Sequence, residues 1–207
     1  MRPSSRHTAT QNESSTSVIV HFPVPASDVG LVTALRAGHV GALRALCGRH
    51  SKSLSRVAAA ILGPDENLLA IVAQGLRQSV ETLDELDDAR ALRAWLVSRL
   101  IAVVKRRLKV RRRWRWLGLL WHSDAACNTW CWSGQLRASY RVLDRLMDDQ
   151  RIVFCLAAIH GMSLADIATV LELPLSQVRS LLDRASQNFT RHTQFEPTLS
   201  VQKLRSA

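Results

Sequence analysis

Ser176, Gln177, Arg179, Ser180 and Arg184 lie close together near the C-terminal end, and their chemistry is recognition rather than bond-making. An arginine can fork onto guanine O6 and N7, and a glutamine onto adenine N6 and N7. Each such bidentate pair contributes ~1–3 kcal/mol of discrimination against the wrong base. A second group is a cationic run in which eight of the eleven residues 105–115 are Lys or Arg. That density suits a phosphate backbone, whose counterions it would release, although a run of charge can also be a solvated face. Bond-making chemistry has no such cluster. His and acidic residues do not converge in an acid–base or nucleophile pattern, so the chain reads as a non-enzyme with no cofactor. His122, Cys127 and Cys131 space out as His-x4-Cys-x3-Cys, superficially like zinc ligands. A fourth ligand is missing and the spacing is not a standard one, so no metal is expected.

The base-reading residues need a helix to present them, and the sequence around them supplies one. Asp148 and Asp149 are N-cap types placed before Ile152, Val153, Leu156 and Ile159, which recur at helical spacing. Gly161 fits the left-handed C-terminal cap of that helix. Ser163 then opens a second helix, with Asp166 three residues on in a capping-box-like position. Leu164, Ile167, Ala168 and Leu171 form its apolar face. Leu173-Pro174 stops it, and Pro174 is tolerated at the start of the next. That third helix buries Val178, Leu181, Leu182 and Ala185 and offers Ser176, Gln177, Arg179, Ser180, Asp183 and Arg184 on its other side. Two short helices across a tight turn, propped by a third, are the grammar of a helix-turn-helix, which sets its second helix in the major groove. A generic small helical bundle would share the pattern.

The 207-residue chain is long enough for one large or two small domains, and 47% hydrophobic content supports a core. Abundant Ala and Leu without alternating runs make the class all-α. A formal net charge of +11, carried mostly by Arg, favours a polyanion: nucleic acid first, an anionic membrane surface second. Genome base composition can also enrich Arg. No apolar run approaches the ~20 residues of a membrane helix, and residues 1–26 lack the apolar segment of a secretory signal. A cytoplasmic protein without stable membrane insertion is therefore expected. Cys47, Cys127, Cys131 and Cys155 are scattered as reduced thiols would be.

Along the chain, residues 1–26 read as a disordered tail. Ser27 or Asp28 caps a helix ended by Gly38, a second runs from Val40 to Leu62, and Gly63-Pro64 stops it. Asp65 caps a third through Val80. An acidic stretch (Glu81, Asp84, Glu85, Asp87, Asp88) precedes a fourth helix from near Ala89 into the cationic run. The expected division is a first domain at 27–112, a Trp-rich flexible linker at 113–134, the helix-turn-helix domain at 135–193 and a disordered tail at 194–207.

Here the sequence resembles a family. LVTALRAGHVGALRALCGRHSKSLSRVAAAIL (31–62) is similar to the opening helices of extracytoplasmic-function sigma factors of bacterial RNA polymerase. LRAWLVSRL (92–100) resembles that family's promoter-melting helix, with Trp95 at its characteristic tryptophan, although Trp95 also suits a core position. QRIVFCLAAIHGMSLADIATVLELPLSQVRSLLDRA (150–185) resembles its minus-thirty-five domain without a gap. The resemblance covers roughly 28–192 in the family's order. It implies two partners, core RNA polymerase and promoter DNA, and often an anti-sigma factor.

The resemblance also distributes roles. Asp65, Glu66 and Asn67 would grip polymerase; simple helix capping is the plainer account of these acids. A loop at 85–91 would receive an extruded base, at a cost of a few kcal/mol of unstacking. Arg99, Lys105, Arg106, Arg107, Lys109, Arg111 and Arg112 would meet the minus-ten DNA and its backbone. Ser176, Gln177, Arg179, Ser180 and Arg184 would read the minus-thirty-five element, Arg184 more as a phosphate contact. The sequence departs from the family's pattern at Ala70, Ile71, Ala102, Glu172 and Leu181. Glu172 stands where the turn usually has Gly, so a positive φ there would strain it.

Trp114, Trp116, Trp121, Trp130 and Trp132 crowd the linker. They could stack on nucleic acid, pack between the domains, or form a basic interfacial anchor with RRRWRWLGLLW. Two other functions fit parts of the sequence: a stand-alone helix-turn-helix regulator that has lost polymerase binding, and a membrane- or RNA-associated interaction protein using 105–132.

Overall fold

The computed structural model describes residues 27–63, 65, 67–116 and 134–195, and among these there is no strand. The expected all-α class therefore holds. Ser27 accepts a hydrogen bond from the Gly30 amide and starts α1 (Asp28–Arg36). α2 (Val40–Leu62) ends at Gly63, whose φ of 73° and ψ of −156° belong to glycine alone. α3 (Leu68–Glu81) and α4 (Leu92–Trp116) pack side by side and both lie on α2. Leu31, Leu46, Ile61, Leu92, Leu96 and Leu100 are fully buried between them.

Two expectations about helix starts change here. The N-cap of α3 is Asn67 rather than Asp65, without a side-chain cap bond. Residues Ala89–Ala91 form a single tight 3-10 turn capped by Asp88, and the α-helix proper begins at Leu92.

The C-terminal part comprises α5 (Gly134–Asp144), α6 (Asp148–Phe154), α7 (Leu164–Leu171) and α8 (Leu175–Gln194). The cap of α6 is Met147, so Asp148 and Asp149 lie inside its first turn, where the helix dipole favours them but they cap nothing. α6 runs on into a π turn, Cys155–Ile159, that closes at His160 and Gly161. The wider turn shifts the helical phase, so Ile152, Val153 and Leu156 are buried but Ile159 points to solvent. Gly161 has φ 63°, as its capping role requires. Ser163 caps α7 through the Asp166 amide, and its hydroxyl also meets the Asp166 carboxylate.

Candidate nucleic-acid interface

α8 is the second helix of the helix-turn-helix. Val178 and Ala185 are buried, with Leu181 and Leu182 half-buried, which leaves one face outward. Ser176, Gln177, Arg179 and Arg184 are exposed on it and Ser180 is half-buried. Two contacts fix the helix from behind. Asn188 donates to Gln150 Oε1 at 3.2 Å, and Phe189 stacks on Phe154 with centroids 4.8 Å apart. Arg151, buried at 2% exposure, pairs with Asp144 and ties the end of α5 to α6.

The turn before α8 holds Glu172 at φ 55° and ψ 41°, the left-handed region. Leu173 N–H reaches back to Ala168 O at 3.0 Å, so the backbone makes a Schellman-type stop, the place where glycine is usual.

The seven cations of α4 expected to meet DNA fall into three sets. Arg99, Arg106, Arg107 and Arg111 serve the N-terminal half of the fold. Arg99 lies 3.8 Å over the Trp95 ring and pairs with Glu85 at 2.8 Å. Trp95 is half-buried, and its indole N–H reaches Ser79 O at 3.3 Å. Arg106 donates to Gln78 Oε1 at 3.0 Å, and Arg111 to Leu62 O at 2.6 Å. Arg107 holds Asp65 through two bonds of 3.0 and 3.3 Å. Lys105 and Arg112 form the second set, facing Asp149 at 3.5 Å and Asp148 at 3.7 Å. Lys109 is the third, exposed between them.

The residues expected to dock polymerase are placed differently from one another. Asp65 is 7% exposed and committed to Arg107, while Asn67 sits exposed at the helix start. Burial opposes ionisation of Asp65. Hydrogen bonds from Arg107 and the Asn67 amide, with the charges of Arg107 and Arg111, outweigh it and hold the carboxyl below its usual range. Glu66 lies outside the described residues. Ala70 and Ile71 instead line a groove of about 340 Å³ with Val103 and Val110, rimmed by Asn67, Gln74, Arg106 and Arg107.

The loop between α3 and α4 is anchored from both sides. Arg36 donates to Leu86 O at 2.6 Å and Leu83 O at 3.3 Å, and Arg99 holds Glu85. Asp84, Asp87 and Asp88 remain exposed along it. In the Trp-rich segment, Trp114 is 46% exposed at the end of α4. His122, Cys127 and Cys131, with Trp121, Trp130 and Trp132, lie outside the described residues. No helix among the described residues is long and apolar enough to cross a membrane.

Sequence reasoning missed the contacts between the two halves. Tyr140 O–H donates to Ala59 O at 2.7 Å, and Cys155 Sγ reaches Ala60 O at 3.3 Å. Burial pushes both the Tyr140 hydroxyl and the Cys155 thiol up to about 12, so each stays protonated and able to donate. A Cβ on Gly63 would stand 2.9 Å from the Tyr140 ring. None of these residues belongs to an apolar stripe read from the sequence, and a stripe gives no clue to which half its helix packs on.

Residues 136–188 match the family described as Sigma-70, region 4. A comparison with curated proteins gives no match. Among solved structures, CnrH in complex with the cytosolic domain of CnrY is similar at TM-score 0.61 and 24% identity, covering 79% of this chain and 95% of that one. RpoE of Bartonella quintana, in complex with the anti-sigma factor NepR, is similar at TM-score 0.57 and 19% identity, covering 75% and 98%.

Proposed function

We infer that this chain is a sigma factor of the extracytoplasmic-function type: residues 136–188 match the Sigma-70 region 4 family, and the two-part helical fold is similar to those of CnrH and RpoE. It is a transcription initiation factor that binds core RNA polymerase and directs it to promoters. Ser176, Gln177, Arg179, Ser180 and Arg184 read the minus-thirty-five element. Lys105, Lys109 and Arg112 meet the DNA backbone near minus ten. Arg99, Arg106, Arg107 and Arg111 shape that surface more than they contact it, because each is engaged within the fold. Asp65 belongs with these structural residues, which leaves Glu66 and Asn67 as the polar part of the polymerase-docking surface. The chain does no covalent chemistry of its own and works in the cytoplasm, where polymerase works. By analogy with RpoE and NepR, an anti-sigma protein is its further partner.

The exposed base-reading face of α8, in the same chain as a basic α4, carries the reading. Run-off transcription with core polymerase on a genomic promoter pool tests it, and discrete transcripts dependent on the chain are expected. A second reading, the stand-alone DNA-binding regulator, draws on the withdrawal of Asp65 into an ion pair and the apolar Ala70 and Ile71 beside it. Failure of the chain to retain core polymerase even at low salt would favour that second reading and sink the first.

A further inference from the structure

Lys105, Lys109 and Arg112 recur at i, i+4 and i+7, so they share one stripe of α4 spanning about 10 Å. Both ends of the stripe are occupied from within the chain. Asp149 faces Lys105 and Asp148 faces Arg112, two adjacent carboxylates on the first turn of α6. These acids cap no helix end by side-chain bonds, and among the described residues their ion pairs are to α4 rather than to their own domain. Behind them α7 packs on α4, and the Cys155–Ile159 turn packs on α2.

We propose that the chain latches itself shut: Asp148 and Asp149 take, on the Lys105–Lys109–Arg112 stripe, the place that nucleic-acid phosphates would take, so the C-terminal domain and a DNA backbone compete for one surface. The proposal rests on the sigma reading for its biological setting, but its physical content does not.

The energetics suit a latch rather than a lock. The side chains of Lys105 and Asp149 are 42% and 62% exposed, and those of Arg112 and Asp148 61% and 32%. Pairs this open contribute ~0–1 kcal/mol each and weaken with salt. Tyr140, Cys155 and the apolar faces hold the halves in register; the acids decide what else can approach the stripe. A polyanion offers many phosphates and gains from counterion release, which two carboxylates cannot match. Meanwhile Ser176, Gln177, Arg179 and Arg184 stay exposed in the closed form. The closed chain thus keeps its upstream reader open and two of its downstream cations paired, so the upstream contact forms first and those two cations engage once the acids are displaced.

The test uses the full chain and a fluorescein-labelled single-stranded DNA 30-mer of random sequence, with no polymerase and no promoter. Asp148→Asn with Asp149→Asn should tighten binding several-fold at 50 mM salt. It should also steepen the dependence of log K on log salt by about 1.4, two freed contacts at ~0.7 each. Glu81→Gln with Asp84→Asn removes the same charge from exposed positions at and just past the end of α3 and should leave the slope unchanged. A second variant, Asp148→Glu with Asp149→Glu, keeps both charges and should leave affinity and slope close to those of the unaltered chain. Equal slopes for the Asp-to-Asn variant and the Glu81 and Asp84 control would overturn the proposal, as would a slope for the Asp-to-Glu variant equal to that of the Asp-to-Asn variant. None of these results depends on transcription, so a failed run-off assay and a failed latch remain distinguishable.

Discussion

Arg107 and Asp65 form a two-pronged ion pair, Nε to Oδ2 at 3.0 Å and Nη2 to Oδ1 at 3.3 Å. The resemblance had assigned the arginine to DNA and the aspartate to polymerase; the fold joins them to each other. The Asp65 side chain is almost sealed, at 4% exposure, against 35% for Arg107. Its carboxyl is held below the usual range, so its contribution is present above about pH 4, the unfolded carboxylate value, and is lost as pH falls through the lower folded value. Asp65→Asn should therefore cost roughly 1–3 kcal/mol at pH 7 and much less near pH 2. Urea unfolding at the two pH values checks it. An equal cost at both would mean the carboxylate charge contributes nothing.

Glu172 adopts φ 55°, which costs an L-residue roughly 1 kcal/mol relative to glycine. Glu172→Gly should stabilise the helix-turn-helix by about 0.5–1 kcal/mol, visible as a higher urea midpoint at constant slope. Its effect on minus-thirty-five binding should be small, since the backbone already makes the turn that glycine would make. A lower midpoint would show that the Glu172 side chain has a stabilising contact that outweighs the strain.

Both of those sites show where sequence is informative and where it stops. The turn at Glu172, the Ser163 cap and the Gly161 stop depend on residues within a few positions, and local backbone chemistry reveals them. Asp65 and Arg107 are 42 residues apart, Tyr140 and Ala59 are 81, and Cys155 and Ala60 are 95. Such pairs depend on how helices pack, which no local pattern encodes. The same limit explains Ile159. Its helical spacing placed it on the buried face, but a π turn rotates it outward, and nothing in CLAAI announces a π turn. For the candidate site, the exposed face of α8 was legible because it is the complement of a regular apolar stripe. The partition of the α4 cations was not, because seven similar cations differ only in what the rest of the chain brings to them.

His50 and His160 make the fold sensitive to mild acid. Burial lowers the pKa of each. For His50 the charge of Asp28 opposes that shift and Arg49 and Arg93 add to it; for His160 a hydrogen bond with the Arg56 backbone opposes it, and Arg93 and Arg56 add to it. A depressed folded value means stability is full above about pH 6.5, the unfolded value, and falls as pH drops through the folded values. Each proton taken up on unfolding can tilt the curve by at most ~1.4 kcal/mol per pH unit. Stability should thus decline from pH 7.5 to 5.5, a window well above that of Asp65. His160→Gln should flatten part of the decline. A slope unchanged by that substitution would exclude His160 as a contributor.

Arg179 and Lys109 should separate sequence reading from backbone attraction. Arg179 is exposed on the outward face of α8, and Lys109 is exposed on the stripe of α4. Arg179→Ala should cost ~1–3 kcal/mol, roughly ten- to a hundredfold, on the preferred minus-thirty-five duplex and little on unrelated DNA. Lys109→Ala should weaken binding to all sequences alike and reduce the salt slope by about 1. Arg111 is a poor choice for that comparison: its guanidinium holds Leu62 O at 2.6 Å, so its loss would disturb the end of α2 as well. The measurement is a salt titration of both variants on preferred and scrambled duplexes. If Arg179→Ala loses affinity equally on the two duplexes, its guanidinium lies on phosphate, and base reading must rest on Gln177 and the serines beside it.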